Sequence, residues 1–262
     1  MTTESVREFW DSQPCDAVFG DDWNKIQSVR YFMNPHVPKW ADFKQWRGKK
    51  VLEIGCGIGT DAITFAKNGA TVTATDISPV SIAQAKSHAE NAGVSSKIDF
   101  LVADSQRLNE YLEPQEFDLI YACGTLHHMP EPDKVVDQIR RYYSSPASVF
   151  KLLVYYRYSW VPIALLIRRG KGAFWRLDEI ITKHAEQQEG CPITKVFSRR
   201  KARNLLQGFR VKDASVRWIY PYRNFEGTRK TWYFRWIPNS VLRCLEPLLG
   251  WHLCITSIRD DA

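Results

Sequence analysis

The feature that most constrains the fold is the run VLEIGCGIGT at residues 51–60, in which an apolar stretch is followed by three glycines two residues apart. Gly55, Gly57 and Gly59 can adopt backbone dihedrals closed to residues with a Cβ, and they leave room for a ligand against the main chain. A helical pattern follows at once, so the segment predicts a strand, a tight loop and a helix in succession. Such a unit places its loop at the carboxyl end of a strand of an α/β sheet, where nucleotide-like ligands bind.

The spacing of the glycines and a nearby acid indicate the charge of that ligand. A dinucleotide site is typical of Gly-x-Gly-x-x-Gly, whose third glycine lets the helix pack on the strand. Here that third position is Thr60. Glu53 lies two residues before the first glycine, and a carboxylate there suits a cationic ligand better than a pyrophosphate, because like charges at short range repel.

Three further apolar strands follow the loop, each with its own motif. Residues 70–75 lead to Asp76, residues 98–102 lead to Asp104, and residues 117–124 lead to the segment TLHHMP. These motifs, in this order within about 80 residues, resemble those of the class I S-adenosylmethionine (SAM) dependent methyltransferases. The segment after the fourth strand is similar to the corresponding loop of small-molecule methyltransferases of ubiquinone and menaquinone biosynthesis.

The resemblance implies that SAM binds as the methyl donor. Asp76 would hold the ribose, since one carboxylate can accept two hydrogen bonds, and Asp104 with Ser105 would contact the adenine edge. Taken singly, the two aspartates could instead be ordinary strand-end or helix-capping acids, and the cysteines simply small side chains in tight sites. The residues expected at the cofactor are Glu53, Gly55, Cys56, Gly57, Gly59, Asp76, Ile77, Asp104, Ser105 and Cys123.

The alternation of strands and helices predicts the α/β class and a Rossmann-like methyltransferase fold. The resemblance implies a seven-stranded, mostly parallel sheet with strand seven antiparallel and helices on both faces. The predicted helices are 61–68, 79–92, 133–144 and a late helix at 198–209. The fifth to seventh strands are predicted at 149–156, 211–220 and 253–258.

We expect residues 1–262 to form a single methyltransferase domain. Its parts are an N-terminal extension (1–47), a SAM-binding core (48–156), two substrate-lid insertions (157–197 and 221–251), and the remainder of the core (198–220 and 252–262). Because strands five and six are parallel to the first, both insertions should leave the carboxyl edge of the sheet, beside the methyl group of the cofactor.

The insertions are rich in aromatic and arginine side chains, which suits an organic body with an anionic group. We therefore hypothesise that Arg157 and Arg223 bind such a group of the substrate. The other expected substrate contacts are Tyr156, Tyr222, Tyr31 and His36, the last two because the extension in this family commonly folds over the entrance. The alternative is that the aromatics only pack together and the arginines are solvated.

The chemistry expected of such a site needs little from the protein beyond alignment and the exclusion of water, since methyl transfer from a sulfonium is an SN2 displacement. If the acceptor is a hydroxyl or a protonated amine, a base must take its proton, and His127 and His128 are the candidates. In this loop the histidine is often structural instead, and a carboxylate or thiolate acceptor would need no base. The six histidines show no metal-ligand spacing, so no metal is expected.

Composition limits the compartment and the partners. Six cysteines without a C-x-x-C pair favour reduced thiols in the cytoplasm, and the N-terminus lacks the pattern of a signal peptide. The apolar run at 161–167 is far shorter than the ~20 residues that span a bilayer. Residues 1–150 carry a net charge of −5, whereas residues 151–262 carry +12. The basic C-terminal part would attract an acidic substrate, nucleic acid or an anionic membrane surface.

The sequence therefore predicts a SAM-dependent methyltransferase acting on an oxygen or nitrogen of a small organic acceptor, which the arginines suggest is anionic. Three alternatives stay open: a nucleic-acid substrate, a membrane-associated lipid or quinone acceptor approached through the interfacial strip 160–169, and a noncatalytic scaffold. Nucleic acid is less favoured because residues 122–125 lack the Asn/Asp-Pro-Pro-Tyr/Phe motif and no RNA-binding module is recognisable. A scaffold need not keep Glu53, the glycines, Asp76 and Asp104 together. The oligomeric state does not follow from the sequence.

Overall fold

The computed structural model describes residues 2–15, 22–143, 147–170, 172–184, 190–219 and 234–260. Within these ranges the strands are β1 (Lys50–Ile54), β2 (Thr71–Asp76), β3 (Ile98–Val102), β4 (Leu119–Cys123), β5 (Val149–Tyr155), β6 (Phe209–Arg217) and β7 (His252–Arg259). They form one sheet in the order β3-β2-β1-β4-β5-β7-β6. β1 to β5 pair in parallel, and β7 runs antiparallel between β5 and β6. The predicted Rossmann-like methyltransferase sheet with an antiparallel seventh strand is confirmed.

Helices cover both faces of this sheet, as predicted. Those of the core are α4 (Thr60–Lys67), α5 (Pro79–Asn91), α6 (Pro132–Ile139) and α9 (Arg199–Leu205). Side chains of β4 alternate between the faces, because successive residues of a strand point to opposite sides. Ile120 and Ala122 pack with α6 and α9, whereas Leu119 and Tyr121 pack with α4 and α5.

Several predicted boundaries differ from the observed ones. The helix predicted over 133–144 ends at Ile139 and continues as a 3-10 turn over Arg140–Tyr142. The late helix ends at Leu205, and β6 begins at Phe209 and ends at Arg217. Trp218 follows with φ of 63°, a left-handed conformation that interrupts the extended backbone predicted to run to residue 220.

The N-terminal extension contributes three helices, α1 (Thr3–Ser12), α2 (Trp23–Met33) and α3 (Val37–Ala41). α1 packs on α5, and α2 packs on α4. The ammonium of Lys151 on β5 donates to the carbonyls of Trp40 and Ala41 at the end of α3, at 2.6 and 3.0 Å. The extension is thereby fastened to the middle of the sheet.

The two insertions leave the same edge of the sheet, as expected. Tyr155 at the end of β5 and Arg217 at the end of β6 both pair with His252, the first residue of β7. The first insertion forms α7 (Trp160–Arg168) and α8 (Leu177–His184), and the second forms α10 (Asn239–Leu249). In the described part of the chain, no helix has both the length and the apolar character needed to cross a bilayer.

Replacing Lys151 with Met should lower the free energy of unfolding by about 1–3 kcal/mol, because two carbonyls at the end of α3 would lose a buried donor. Urea denaturation followed by circular dichroism measures this change. The matched control is Lys97→Met, since Lys97 is exposed. If both variants unfold at the same urea concentration, the lysine does not hold the extension in place.

Candidate active site

The three glycines of the loop between β1 and α4 have different structural roles. All have positive φ, at 70° for Gly55, 53° for Gly57 and 85° for Gly59. A Cβ on Gly55 would lie 2.1 Å from the side chain of Thr125, and one on Gly59 would lie 3.0 Å from Ala85. A Cβ on Gly57 would meet no heavy atom within 4 Å. Gly55 and Gly59 therefore permit packing within the protein, and Gly57 is the one that borders open space.

The carboxylate of Asp76 connects the loops that follow β1 and β2. Its Oδ2 accepts from the backbone N–H of Gly57 at 2.8 Å, and its Oδ1 accepts from that of Ser78 at 2.9 Å. Burial raises the pKa of Asp76, while the bonds from Ser78, Gly57 and Ile77 lower it. Each carboxylate oxygen has a second lone pair, so Asp76 can fix both loops and still accept from hydroxyl groups.

A cavity of about 440 Å³ opens next to Ile77 and Asp104. Asp104 caps the 3-10 turn Ser105–Glu110, accepting from Gln106 N–H at 3.0 Å. The cavity brings together residues from the ends of β2 and β3 and from α1, and its lining is Thr2, Thr3, Glu4, Arg7, Ile77, Val102, Ala103, Asp104, Arg107 and Tyr111.

Helix α1 is bonded to the core at this cavity. Gln106 Nε2 donates to Thr3 Oγ1 at 2.9 Å, and Ser78 Oγ donates to Asp11 at 2.6 Å. The first helix therefore covers the two aspartates that the sequence predicted at the ribose and the adenine.

A second group of acids is buried where β1 meets α4. Asp61 accepts from Tyr31 at 3.0 Å and from Tyr121 at 2.9 Å, and it pairs with Arg30 at 3.3 Å. Glu53 is buried nearby, and its Oε2 has no hydrogen-bond partner among the residues that the structure describes. Burial raises the pKa of Glu53 well above its usual range; Asp61 and Asp76 raise it further, and Arg30 opposes them. Glu53 is therefore a buried acid with an oxygen available to a ligand.

Aromatic and imidazole rings form a continuous series along the carboxyl edge of the sheet. In order along the edge, the rings are those of Trp10, His128, His127, Tyr155, His252 and His36. The centroids of successive rings are 5.2, 4.2, 3.8, 5.8 and 4.9 Å apart. It joins the N-terminal extension to the ends of β4, β5 and β7. We call these six residues the ring series.

The two candidate bases are placed differently within the ring series. His128 Nδ1 lies 2.8 Å from the carbonyl of Ile193, to which it can donate only as the Nδ1–H tautomer. Both ring nitrogens of His127 are buried, and neither has a hydrogen-bond partner within the described ranges. Burial, followed by the nearby His128 and His252, holds the pKa of His127 well below its usual range. His127 is thus a neutral imidazole with two unused nitrogens, whereas His128 has a structural bond.

His36 and His252 are joined by a direct hydrogen bond between imidazoles. His252 Nδ1 lies 2.9 Å from His36 Nε2, so one ring donates and the other accepts. Burial lowers the pKa of His36 to about 3, with Arg30 and Arg217 contributing. Both rings are therefore neutral, which extends the uncharged character of the ring series to its far end.

The remaining predicted substrate residues are not brought together by the structure. Tyr156 is buried on the opposite face from Tyr155, under the guanidinium of Arg199. Arg157 Nη1 pairs with Asp178 of α8 at 2.5 Å. Tyr31 contacts Asp61 rather than the ring series, and Tyr222 and Arg223 lie outside the described residues.

Sequence reasoning missed several residues that the structure places here. The role of Asp61 was not predicted because acidic residues are common in the first turn of a helix, where the helix dipole stabilises them. Tyr155 could not be separated from Tyr156, because the face that each residue of a buried strand takes depends on register. Trp10 and His252 come from the two ends of the chain and gave no local signal.

Comparisons with known proteins agree with this fold. Residues 51–145 match the family model described as "Methyltransferase domain". The ubiquinone biosynthesis O-methyltransferase of Pseudomonas syringae pv. tomato is 33% identical over 119 residues, covering 45% of this chain and 50% of the relative. The chain thus matches about half the length of this curated relative.

Two solved structures share the fold along almost the whole chain. Magnesium protoporphyrin IX methyltransferase from Synechocystis PCC 6803, with bound SAH, has a TM-score of 0.62 at 14% identity and covers 99% of this chain and 100% of its own. The 1,6-didemethyltoxoflavin-N1-methyltransferase of Burkholderia thailandensis has a TM-score of 0.56 at 16% identity, covering 100% and 92%. The chain therefore has the fold of class I SAM-dependent methyltransferases, as its motifs predicted, and its residues 51–145 match the model of a methyltransferase domain.

The residues fit the cofactor of that class. Gly57 borders open space, a cavity lies against Ile77 and Asp104, and Glu53 presents an unpartnered carboxylate oxygen. Together they suit a ligand with a nucleoside at one end and a positive charge at the other.

Glu53 should make the stability of the ligand-free protein fall as the pH rises. Its folded pKa is raised, so above the unfolded value of about 4.3 the folded state binds more protons, and the free energy of unfolding decreases until the folded pKa is passed. Glu53→Gln should remove this contribution. Urea denaturation across a series of pH values tests it, with the exposed Glu116→Gln as control. Parallel pH profiles for all three proteins would contradict the assignment.

Proposed function

We propose that this protein is a SAM-dependent methyltransferase that transfers a methyl group to an oxygen or nitrogen of a small organic acceptor. The observation that carries the proposal is the geometry of Asp76, which binds the glycine loop at Gly57 and borders the residues that line the cavity. The similarity to an O-methyltransferase and to an N1-methyltransferase supports this pair of acceptor atoms.

In the proposed function the chain's own residues position the donor. Asp76 accepts from the ribose, Ile77 and Asp104 border the adenine, and Glu53 faces the positive end of the molecule. SAM supplies a methyl carbon bonded to a sulfonium, ready for displacement. Helix α1 forms one wall of the cavity, and alignment of the reactants can lower the barrier by roughly 7–11 kcal/mol.

The ring series is the proposed acceptor site. It lies at the carboxyl ends of β4 and β5, on the edge where α/β sheets bind their ligands. Three of its imidazoles, those of His36, His127 and His252, are kept neutral by burial, and its tryptophan and tyrosine rings are aromatic, which favours a flat, uncharged organic body over a phosphate-rich one. His127 is kept neutral by burial, so its one unprotonated ring nitrogen can accept the proton of a hydroxyl acceptor. The anionic group of the original hypothesis is less favoured, since Arg157 is already paired with Asp178.

Asp76→Asn should weaken SAM binding by about tenfold to a hundredfold, because the amide has one acceptor oxygen and its NH₂ opposes the N–H of Gly57 or Ser78. Isothermal titration calorimetry with SAM and with its demethylated product measures the loss. The control is Asp99→Asn, an exposed acid of β3. A wild-type protein that takes up neither compound would refute the proposed function.

His127→Gln should lower methyl transfer by roughly 10²–10⁴-fold and leave the Kd of SAM unchanged, whereas His128→Gln should mainly destabilise the fold through loss of its bond to Ile193. Methyl-labelled SAM and a small-molecule cell extract provide the assay, with thermal melts run in parallel.

The same assay separates the alternatives, since label in the nucleic-acid or lipid fraction would point to those acceptors. Equal transfer by wild type and His127→Gln would remove the histidine from the chemistry. A rate that falls only in proportion to lost folded protein would make its role structural.

A further inference from the structure

Large apolar side chains are exposed on α7 and on the turn that follows it. The exposed fractions are 40% for Ile163, 68% for Ile167, 70% for Phe174 and 74% for Trp175. Isolated exposed apolar residues are ordinary, but a cluster of large ones marks an interaction surface.

These four residues belong to one short, folded segment. Ile163 and Ile167 are four residues apart on α7, so they share one side of the helix. The chain then folds back, with Gly172 N–H donating to the carbonyl of Leu166 and Ala173 N–H to that of Gly170. The rings of Phe174 and Trp175 lie edge to face, 5.2 Å apart.

The charge beside these side chains is positive. Arg168 and Arg169 are exposed at the end of α7, and neither forms an ion pair with any residue in the described ranges. The nearby acids are already neutralised, Asp178 by Arg157 and Glu179 by Arg176. Residues 157–184 as a whole carry a net charge of +4.

We propose that the surface formed by Ile163, Ile167, Arg168, Arg169, Phe174 and Trp175, here called the α7 face, docks on the surface of an anionic lipid bilayer. Apolar and aromatic side chains beside arginines are the chemistry of an interfacial helix, in which the former enter the headgroup region and the latter contact lipid phosphates. The helix lies on the bilayer and does not cross it, in keeping with its nine residues.

A second copy of the chain fits this surface less well. A two-fold dimer places the same patch on both subunits, so Arg168 and Arg169 would face their own copies with no unpaired acid of the segment opposite them. An anionic bilayer supplies the complementary charge that a second copy lacks.

The α7 face also adjoins the proposed acceptor site. Val161 of α7 and Tyr155 of the ring series pack against the same buried cluster, formed by Ile181, Val196 and Trp251. Docking would bring the carboxyl edge of the sheet close to the lipid surface. The inference goes beyond the proposed function and does not depend on it, because lipid binding is measured without SAM or an acceptor.

The test is co-sedimentation of the full chain with sucrose-loaded vesicles of phosphatidylcholine alone or with 30 mol% phosphatidylglycerol, in roughly 0.1 M salt. We expect binding to the anionic vesicles and little to the neutral ones. Arg168→Gln/Arg169→Gln should bind about 30-fold more weakly, since each arginine near an anionic leaflet contributes roughly fivefold. Phe174→Ser/Trp175→Ser should weaken binding by about tenfold or more.

The matched control is Arg203→Gln/Arg210→Gln, which removes the same charge from exposed sites on α9 and β6. It should reduce binding far less than the α7 variant. Equal losses in the two arginine variants would mean nonspecific attraction and would overturn the proposal, as would no binding of wild type to anionic vesicles. A dimer in sedimentation velocity that disappears in Phe174→Ser/Trp175→Ser, without lipid binding, would assign the α7 face to a second copy instead.

Discussion

The withdrawal from water of three carboxylates around one glycine loop, Glu53 and Asp61 buried and Asp76 half-buried, is the constraint on which the rest of the site depends. Taking a carboxylate out of water disfavours its charged form unless partners replace the lost hydration. Asp76 gains backbone N–H groups, and Asp61 gains two tyrosine hydroxyls and Arg30. Glu53 keeps one oxygen without a partner. The lost hydration of Glu53 is therefore not fully replaced within the protein, and a cationic ligand at the loop would replace it. This explains why acidic residues, rather than basic ones, lie beside a loop of the nucleotide-binding type.

The N-terminal extension is part of this arrangement. Arg30 and Tyr31 of α2 complete the surroundings of Asp61, and α1 closes the cavity next to Asp104. Trp10 reaches the loop after β4, where it contacts His128. A segment that lies before the first strand in sequence thus contacts the loops after β1, β2, β3 and β4, and it links the cofactor side of the site to the acceptor side.

The sheet and the cofactor side could be predicted from the sequence, because their signals are local. A glycine loop after an apolar strand, an acid after the next, and the alternation with helices each depend on neighbouring residues, and the observed strand order confirms the fold. The acceptor side could not be predicted in the same way. Its six rings come from positions 10, 36, 127, 128, 155 and 252, and only tertiary packing brings the distant ones into contact. The boundary errors at Ile139 and Arg217 have a similar cause, since local dihedrals such as that of Trp218 are set by packing.

The basic residues of the C-terminal half fall into groups with different surroundings in the structure. On α9 two cations pack against rings of the fold: Arg199 lies over the ring of Tyr156 and donates to the carbonyl of Pro247, and Lys201 lies over Phe197. On α7 the arginines lie beside exposed apolar side chains. Net charge alone attracts any anion within about a Debye length, whereas charge next to exposed aromatics favours a surface that offers anions and hydrocarbon together. α7 and its following turn combine the two, and this combination favours a lipid surface over nucleic acid as the partner of this segment.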